Sequence, residues 1–268
     1  MKYRLFISDY DGTLGVAPQN NIDEQTLNAI NKFTQKGGIF VVCSGRETSS
    51  ITRILSEHKL KGLVVSFQGA RINDIESGKC ILDGGLDKEH TLLALDAVEE
   101  YRLTPLLYGK NDFFYQEKND YIRFYEKAIR LEGRVANVRE EVMNGNSGSV
   151  KICWLGEDEI VNRAADALNA KFKGVGIKFN SGAKNLLEAI NPQYCKGDAV
   201  KFLSKYYNVP LNEIIAVGDS TNDIDLIKGE WHGVAVGDGR EELKAVAKEI
   251  TVPFEQKPVK TLLEKYCL

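Results

Sequence analysis

Long apolar runs are missing from this 268-residue chain. No stretch approaches the roughly 20 residues that a membrane-spanning helix needs. The N-terminus has no basic region followed by an apolar core, and its first apolar segment is too short for a secretory signal. Paired cysteine motifs are missing as well. The 5 cysteines (Cys43, Cys80, Cys153, Cys195, Cys267) are odd in number and scattered, with no Cys-x-x-Cys. That usage fits a reducing cytosol better than a disulfide framework. Histidine is scarce, and His58, His90 and His232 lie far apart, which argues against a metal centre built on imidazoles. The formal net charge is only -3 and carries no nucleic-acid footprint. Repeats and low-complexity tracts are absent. The expectation is a cytoplasmic protein of ordinary globular composition, forming one large domain or two modest ones, with no nucleic-acid or membrane partner, as a monomer or weak homodimer.

What the chain does have is Ser8-Asp9-Tyr10-Asp11-Gly12-Thr13-Leu14, directly after the apolar segment Lys2-Tyr3-Arg4-Leu5-Phe6-Ile7. That segment reads as a buried strand. In extended backbone residues i and i+2 point to one side, so Asp9 and Asp11 are expected together at the strand's carboxyl end. Ligands of open α/β sheets bind at that edge. Crowded carboxylates repel and one titrates high, unless a cation such as Mg²⁺ sits between them. The same Asp-x-Asp-Gly also reads as a simple turn.

The rest of the chain alternates. Asp23 is an expected N-cap for a helix over Glu24–Lys36, which Gly37-Gly38 ends. Strand Ile39–Cys43 runs into Ser44-Gly45-Arg46, then come a helix over Thr48–Glu57, strand Leu63–Phe67 and a hairpin over Arg71–Leu82. Strand-helix-strand order predicts a doubly wound parallel sheet. Residues 84–184 differ. Helices are expected over His90–Arg102, Tyr121–Leu131 and Glu157–Phe172. Short strands are expected at Leu106–Tyr108, Phe113–Tyr115, Val150–Leu155 and Val175–Phe179, with a loop over Asn144–Gly148. Helices over an antiparallel sheet make this an α+β insert. Its aromatics Phe113, Phe114, Tyr115, Tyr121 and Tyr125 read as that insert's own core rather than as a ring-stacking surface. The buried α/β pattern returns from about Leu186, with helix Lys196–Tyr207, strand Ile214–Val217, and Gly218-Asp219-Ser220-Thr221-Asn222-Asp223. A helix to about Lys228, strand Val234–Val236, a helix from Gly237 to Ala247, strand Ile250–Val252 and a C-terminal helix complete the chain. The expected domains are a discontinuous core, 1–83 with 185–268, and an inserted domain, 84–184.

Polar groups recur at the expected strand ends and helix starts. Ser44-Gly45 offers a hydroxyl and backbone N–H groups suited to phosphate oxygens. Lys196 supplies a point charge for the same anion. Asp219, Asn222 and Asp223 suit a hard cation. Each alone is an ordinary cap, turn or surface charge; together they converge on one sheet edge.

These residues resemble the haloacid dehalogenase-like hydrolases. Asp9-Tyr10-Asp11-Gly12-Thr13-Leu14 matches the family's first motif, Ser44-Gly45-Arg46 its second, Lys196-Gly197-Asp198 its third and Gly218-Asp219-Ser220-Thr221-Asn222-Asp223 its fourth. The insert occupies the C2 cap position and resembles the Cof-type (IIB) subgroup. Gln68-Gly69-Ala70 stands where the family usually has Asn-Gly-Ala, and Asp238-Gly239 where it often has Asn-Ala.

The resemblance implies a Mg²⁺-dependent phosphatase acting on small phosphorylated metabolites such as sugar phosphates. Asp9 would be the nucleophile, forming an aspartyl-phosphate, and Asp11 the general acid and base. Ser44, Gly45 and Lys196 would hold phosphate. Asp9, Asp11 (through its carbonyl), Asp219, Asn222 and Asp223 would form the metal site. The alternatives are a phosphomutase of the same superfamily and a receiver-like phosphotransfer or binding protein without turnover.

Overall fold

The structure, a computed structural model, describes residues 1–16, 19–109, 112–129, 131–145 and 148–268. Ala17, Pro18, Asn146 and Ser147 of the expected loops, and Arg130 of an expected helix, lie outside the described residues.

The chain opens with β1 (Leu5–Ser8), buried throughout. Asp23 caps α1 (Glu24–Gln35), its carboxylate accepting from the N–H groups of Gln25 and Thr26, donors that a first helical turn leaves unpaired. β2 (Ile39–Cys43), α2 (Thr48–Glu57), β3 (Leu63–Ser66), β4 (Arg71–Asp74) and β5 (Cys80–Asp83) follow. Next come α3 (Lys88–Val98), β6 (Thr104–Tyr108), β7 (Phe113–Tyr115), α4 (Asp120–Ile129), β8 (Arg134–Val135), α5 (Val138–Asn144), β9 (Ile152–Leu155), α6 (Asp158–Lys171), β10 (Lys178–Ala183) and β11 (Leu186–Ile190). The last part is α7 (Lys196–Tyr207), β12 (Ile214–Gly218), α8 (Ile224–Ile227), β13 (His232–Ala235), α9 (Glu241–Lys244), β14 (Glu249–Ile250) and α10 (Pro258–Tyr266).

Two compact units result: Met1–Leu82 with Tyr194–Leu268, and Asp83–Gln193. The first holds a sheet of order β14-β13-β12-β1-β2-β3-β4-β5. It is parallel from β14 to β3 and turns antiparallel at β4. Alternate residues feed opposite faces. Phe6, Val42 and Ile215 pack with Ile30, Phe33, Ile54 and Leu262. Leu5, Ile7, Val41 and Ala216 pack with Val200, Leu203, Leu226 and Leu243. Helices therefore cover both faces, as a parallel sheet requires, and the architecture is the doubly wound one read from the sequence.

The inserted unit holds a sheet of order β10-β11-β9-β6-β7-β8, antiparallel except where β8 joins β7. Leu107, Ile152, Trp154 and Leu187 pack against Val98, Val142, Val161 and Leu168. Phe113, Phe114 and Tyr115 are buried and Tyr121 and Tyr125 half-buried. The Tyr115 hydroxyl donates to Glu126 of α4 at 2.9 Å. Phe113, Phe114, Tyr115 and Tyr125 make up internal packing of the insert, whereas Tyr121 points its hydroxyl outward to Glu157 at 2.7 Å.

The structure differs from the sequence reading in places. Leu186–Ile190, expected in the core, is instead β11 and pairs with β10 on one side and β9 on the other. The second boundary consequently falls at Gln193, beyond 184. An apolar i, i+2 pattern fits a strand of either sheet, and pairing partners are not written in it. β10 begins at Lys178, not Val175, and α5 and β8 occupy a stretch in which no element was expected. The helix expected from Gly237 to Ala247 shortens to α9. Among the described residues no helix is long and apolar enough to cross a membrane.

Candidate active site

β1 is flanked by β12 and β2 in parallel register, with Ser8 opposite both Val217 and Val42. Three strands therefore end side by side, and the residues just past their ends become neighbours despite their separation in sequence. Asp9 follows β1, its N–H bonded to the Val217 carbonyl at 2.9 Å. Asp219 follows β12 directly. Ser44 follows β2, its N–H bonded to Val65 at 2.9 Å. The fourth contributor is Lys196, the first residue of α7.

Lys196 is only 1% exposed. Its ammonium donates to Asp9 Oδ1 at 2.5 Å and to Asp223 Oδ1 at 2.6 Å. Burial alone would lower the lysine's pKa, but Asp9 and Asp223 outweigh it and hold the group above its ordinary range. Asp223 Oδ2 accepts from the backbone N–H groups of Asp219 and Ser220, both at 3.1 Å. Both Asp223 oxygens are therefore engaged, one by Lys196 and the other by the Asp219 loop. Asp219 Oδ1 accepts from the Thr13 hydroxyl at 3.0 Å.

Asp9, Asp219 and Asp223 each place a carboxylate oxygen within 4.8 Å of the others. Burial, then the charges of Asp223 and Asp219, pushes Asp9 up to about 8 against the pull of Lys196. Burial and the Asp223 charge push Asp219 up to about 6. One ammonium does not balance three crowded carboxylates, and hard oxygen donors with surplus negative charge fit a divalent cation.

Asp11 is not part of that group. Its two oxygens are forked by Arg46, with Nη2 at 2.6 Å and Nε at 2.8 Å. The expected crowding of Asp9 with Asp11 is thus replaced by crowding of Asp9 with Asp223 and Asp219. The cause is local. The strand stops at Ser8, and the Tyr10 carbonyl accepts from Leu14 and Gly15, so the alternation of extended backbone does not carry through to Asp11.

Ser44 is buried, and its Oγ accepts from the Arg46 N–H at 3.1 Å, which leaves the hydroxyl proton available to an anion. Gly45 lies under the Gln68 amide; a Cβ there would come 2.3 Å from Gln68 Nε2. Asn222 is exposed, and its amide donates to Gln68 Oε1 at 3.4 Å rather than joining the acidic group. Asp238 accepts from the Phe254 N–H at 2.9 Å, while Gly239 lies against the backbone of Asp219. Reading by residue type missed three contributors: Thr13, Arg46 and Gln68. Thr13 and Arg46 stand inside quoted motifs, and that position was the available signal.

The histidines have separate surroundings. His58 lies 3.4 Å from the Asn20 carbonyl, His90 pairs with Asp87 at 2.8 Å and His232 with Glu249 at 2.8 Å.

Known proteins resemble this chain along nearly its whole length. The family described as haloacid dehalogenase-like hydrolase matches residues 6–263. Phosphatase YwpJ of Bacillus subtilis is 26% identical, over 97% of this chain and 99% of that protein. HMP-PP phosphatase of Serratia proteamaculans is 25% identical, over 93% of this chain and 89% of its own. Among solved structures, TM0651 of Thermotoga maritima matches with a TM-score of 0.88 at 24% identity, covering 98% of this chain and 97% of that one, a likeness of fold.

Proposed function

This chain belongs to the haloacid dehalogenase-like hydrolases, and from that premise we propose that it is a phosphatase of small phosphorylated metabolites, with Asp9 as nucleophile and Asp11 as acid and base. The observation that carries this reading is the buried ammonium of Lys196 held between Asp9 and Asp223, with Asp219 beside them.

A magnesium ion fits the donor set and would be held by Asp9, the Asp11 carbonyl and Asp219, with Asp223 beside them; Asn222, turned toward Gln68, stands outside that set. It would supply positive charge that screens the nucleophile from a dianionic phosphate. The other tasks fall to side chains of this chain. Lys196 orients the Asp9 carboxylate, leaving Oδ2 to attack phosphorus in line. The bond from phosphorus to the leaving oxygen breaks, and that oxygen takes a proton from Asp11. A water then attacks the aspartyl-phosphate and gives its proton to Asp11 as the phosphorus–Asp9 bond breaks, which restores the Asp9 carboxylate and the protonated Asp11. The Ser44 hydroxyl, N–H groups of the Gly45 loop and Lys196 hold the equatorial oxygens, where charge sits in the transition state. A carboxylate nucleophile is ionised at neutral pH once its counter-charge is complete, so no separate base is needed.

The test is phosphate release from a panel of sugar phosphates, nucleotides and p-nitrophenyl phosphate, with and without Mg²⁺, in wild type and Asp9→Asn. The expected result is Mg²⁺-dependent turnover that Asp9→Asn abolishes. Turnover persisting in Asp9→Asn, or none in the wild type, would overturn the proposal.

A further inference from the structure

We propose that Arg46 is the positioning residue for Asp11, an inference that rests on the reading of Asp11 as acid and base. Exposed ion pairs contribute little as a rule, and the exceptions are bidentate guanidinium–carboxylate pairs held in fixed geometry. The Arg46–Asp11 pair is such an exception. Arg46 Nε and Nη2 meet the two Asp11 oxygens at 2.8 and 2.6 Å. Nη1 donates to Asn20 Oδ1 at 2.9 Å. The guanidinium carbon stands 4.8 Å from the centroid of the Tyr10 ring, and Tyr10 is itself fully buried, so the platform is fixed. The backbone is tied too: the Arg46 N–H donates to Ser44 Oγ at 3.1 Å, and its carbonyl accepts from Phe67 at 2.9 Å.

Asp11, by contrast, has a side chain 46% exposed. Among the described residues Arg46 is the side chain that holds its carboxylate, and a half-exposed aspartate without that fork samples several rotamers. Acid–base work requires the carboxylate in one place when the leaving oxygen arrives. Catalytic bases are commonly oriented by a third group of this sort. Arg46 fills that position and links it to the anion-holding loop, because its own N–H rests on the Ser44 hydroxyl. To give up or take a proton, Asp11 releases one arm of the fork while the other keeps it in place.

The discriminating measurement is kcat/KM for two esters that differ in their need for a proton. p-Nitrophenolate departs unaided; the alkoxide of glycerol phosphate does not. Arg46→Gln is expected to lower kcat/KM for glycerol phosphate at least ten-fold more than for p-nitrophenyl phosphate. Adding Arg46→Gln to Asp11→Asn is expected to change the remaining rate less than two-fold, since the two residues act as one unit. Asn20→Ala, which frees the far end of the guanidinium, is expected to give the same leaving-group pattern more weakly and serves if Arg46→Gln does not fold. An equal loss on both esters, or full additivity with Asp11→Asn, would overturn the role of Arg46 while leaving the phosphatase reading intact. Absence of turnover in the wild type would overturn both.

Discussion

Lys196 and Asp223 form an ion pair of 2.6 Å in which the lysine side chain is 1% exposed and the aspartate 0%. A second carboxylate, Asp9, meets the same ammonium at 2.5 Å. Removing one partner of a buried pair leaves an uncompensated charge, which costs about 3–5 kcal/mol. Lys196→Met is therefore expected to lower Tm by roughly 10 °C and to abolish turnover. Added Mg²⁺ is expected to restore part of the lost Tm, because a cation supplies the missing charge. Calorimetry with and without Mg²⁺ checks this; a variant melting with the wild type would show that the pair carries no such burden.

The same crowding makes cation binding depend on pH. Protons and a metal compete for carboxylates. With Asp9 pushed up to about 8 and Asp219 to about 6, both are increasingly protonated below those values in the cation-free protein. Mg²⁺ affinity is thus expected to fall as pH drops through 8 and more steeply through 6, with proton release on binding. Titration calorimetry in buffers of different ionisation enthalpy measures both. An affinity flat between about pH 8 and pH 5 would show that these groups are already ionised.

Gly12 connects the first motif to Asp219 by space rather than by bonds. Its φ is +79°, and a Cβ there would stand 2.5 Å from Asp219 Oδ2. A non-glycine residue in this region costs roughly 1–2 kcal/mol of backbone strain, and the methyl would also push the Asp219 carboxylate aside. Gly12→Ala is expected to weaken Mg²⁺ binding at least ten-fold while the protein remains folded. A wild-type binding isotherm in that variant would show that Asp219 yields without loss.

The architecture of the first unit was legible because its central strands β1, β2, β3 and β12 are short apolar runs closed by Gly, Ser or Asp. β2 and α2 fall on their expected residues, and α7 starts at Lys196. Lys196 could be placed at a helix start, but its burial depends on which strand ends lie beside it, and that is a property of sheet order. The fork from Arg46 was not legible for a different reason. An arginine after Ser-Gly has the same local pattern whether it faces solvent or a carboxylate. The Asp11 carboxylate meets Arg46 rather than Asp9, because a two-residue period holds only inside a strand and β1 ends at Ser8. The assignment of β11 failed for want of pairing information: Leu187 and Ala189 face the insert's core, yet nothing in an alternating pentapeptide chooses between two sheets.

Glu249 predicts how the first unit responds to acid, away from the candidate site. Its carboxylate accepts from the Tyr266 hydroxyl at 2.6 Å, Lys265 Nζ at 2.9 Å and His232 Nε2 at 2.8 Å. His232 in turn stacks on Tyr3, with centroids 5.3 Å apart, so the cluster ties both ends of the chain to β13 and β14. Burial would raise the Glu249 pKa, but the hydrogen bonds from Tyr266, Lys265 and His232 outweigh it and hold the group at about 2. A folded pKa below the unfolded one gives stability that is full above the unfolded value, about 4.3. That stability is lost as pH falls toward the folded one. Glu249→Gln keeps the shape and removes the charge. The Tm difference between wild type and variant is therefore expected to be largest above about pH 5 and to shrink by at least half on going to pH 3. Thermal melts across that range measure it, and a difference independent of pH would mean that packing around Tyr3 and Tyr266, not the Glu249 charge, holds the chain ends.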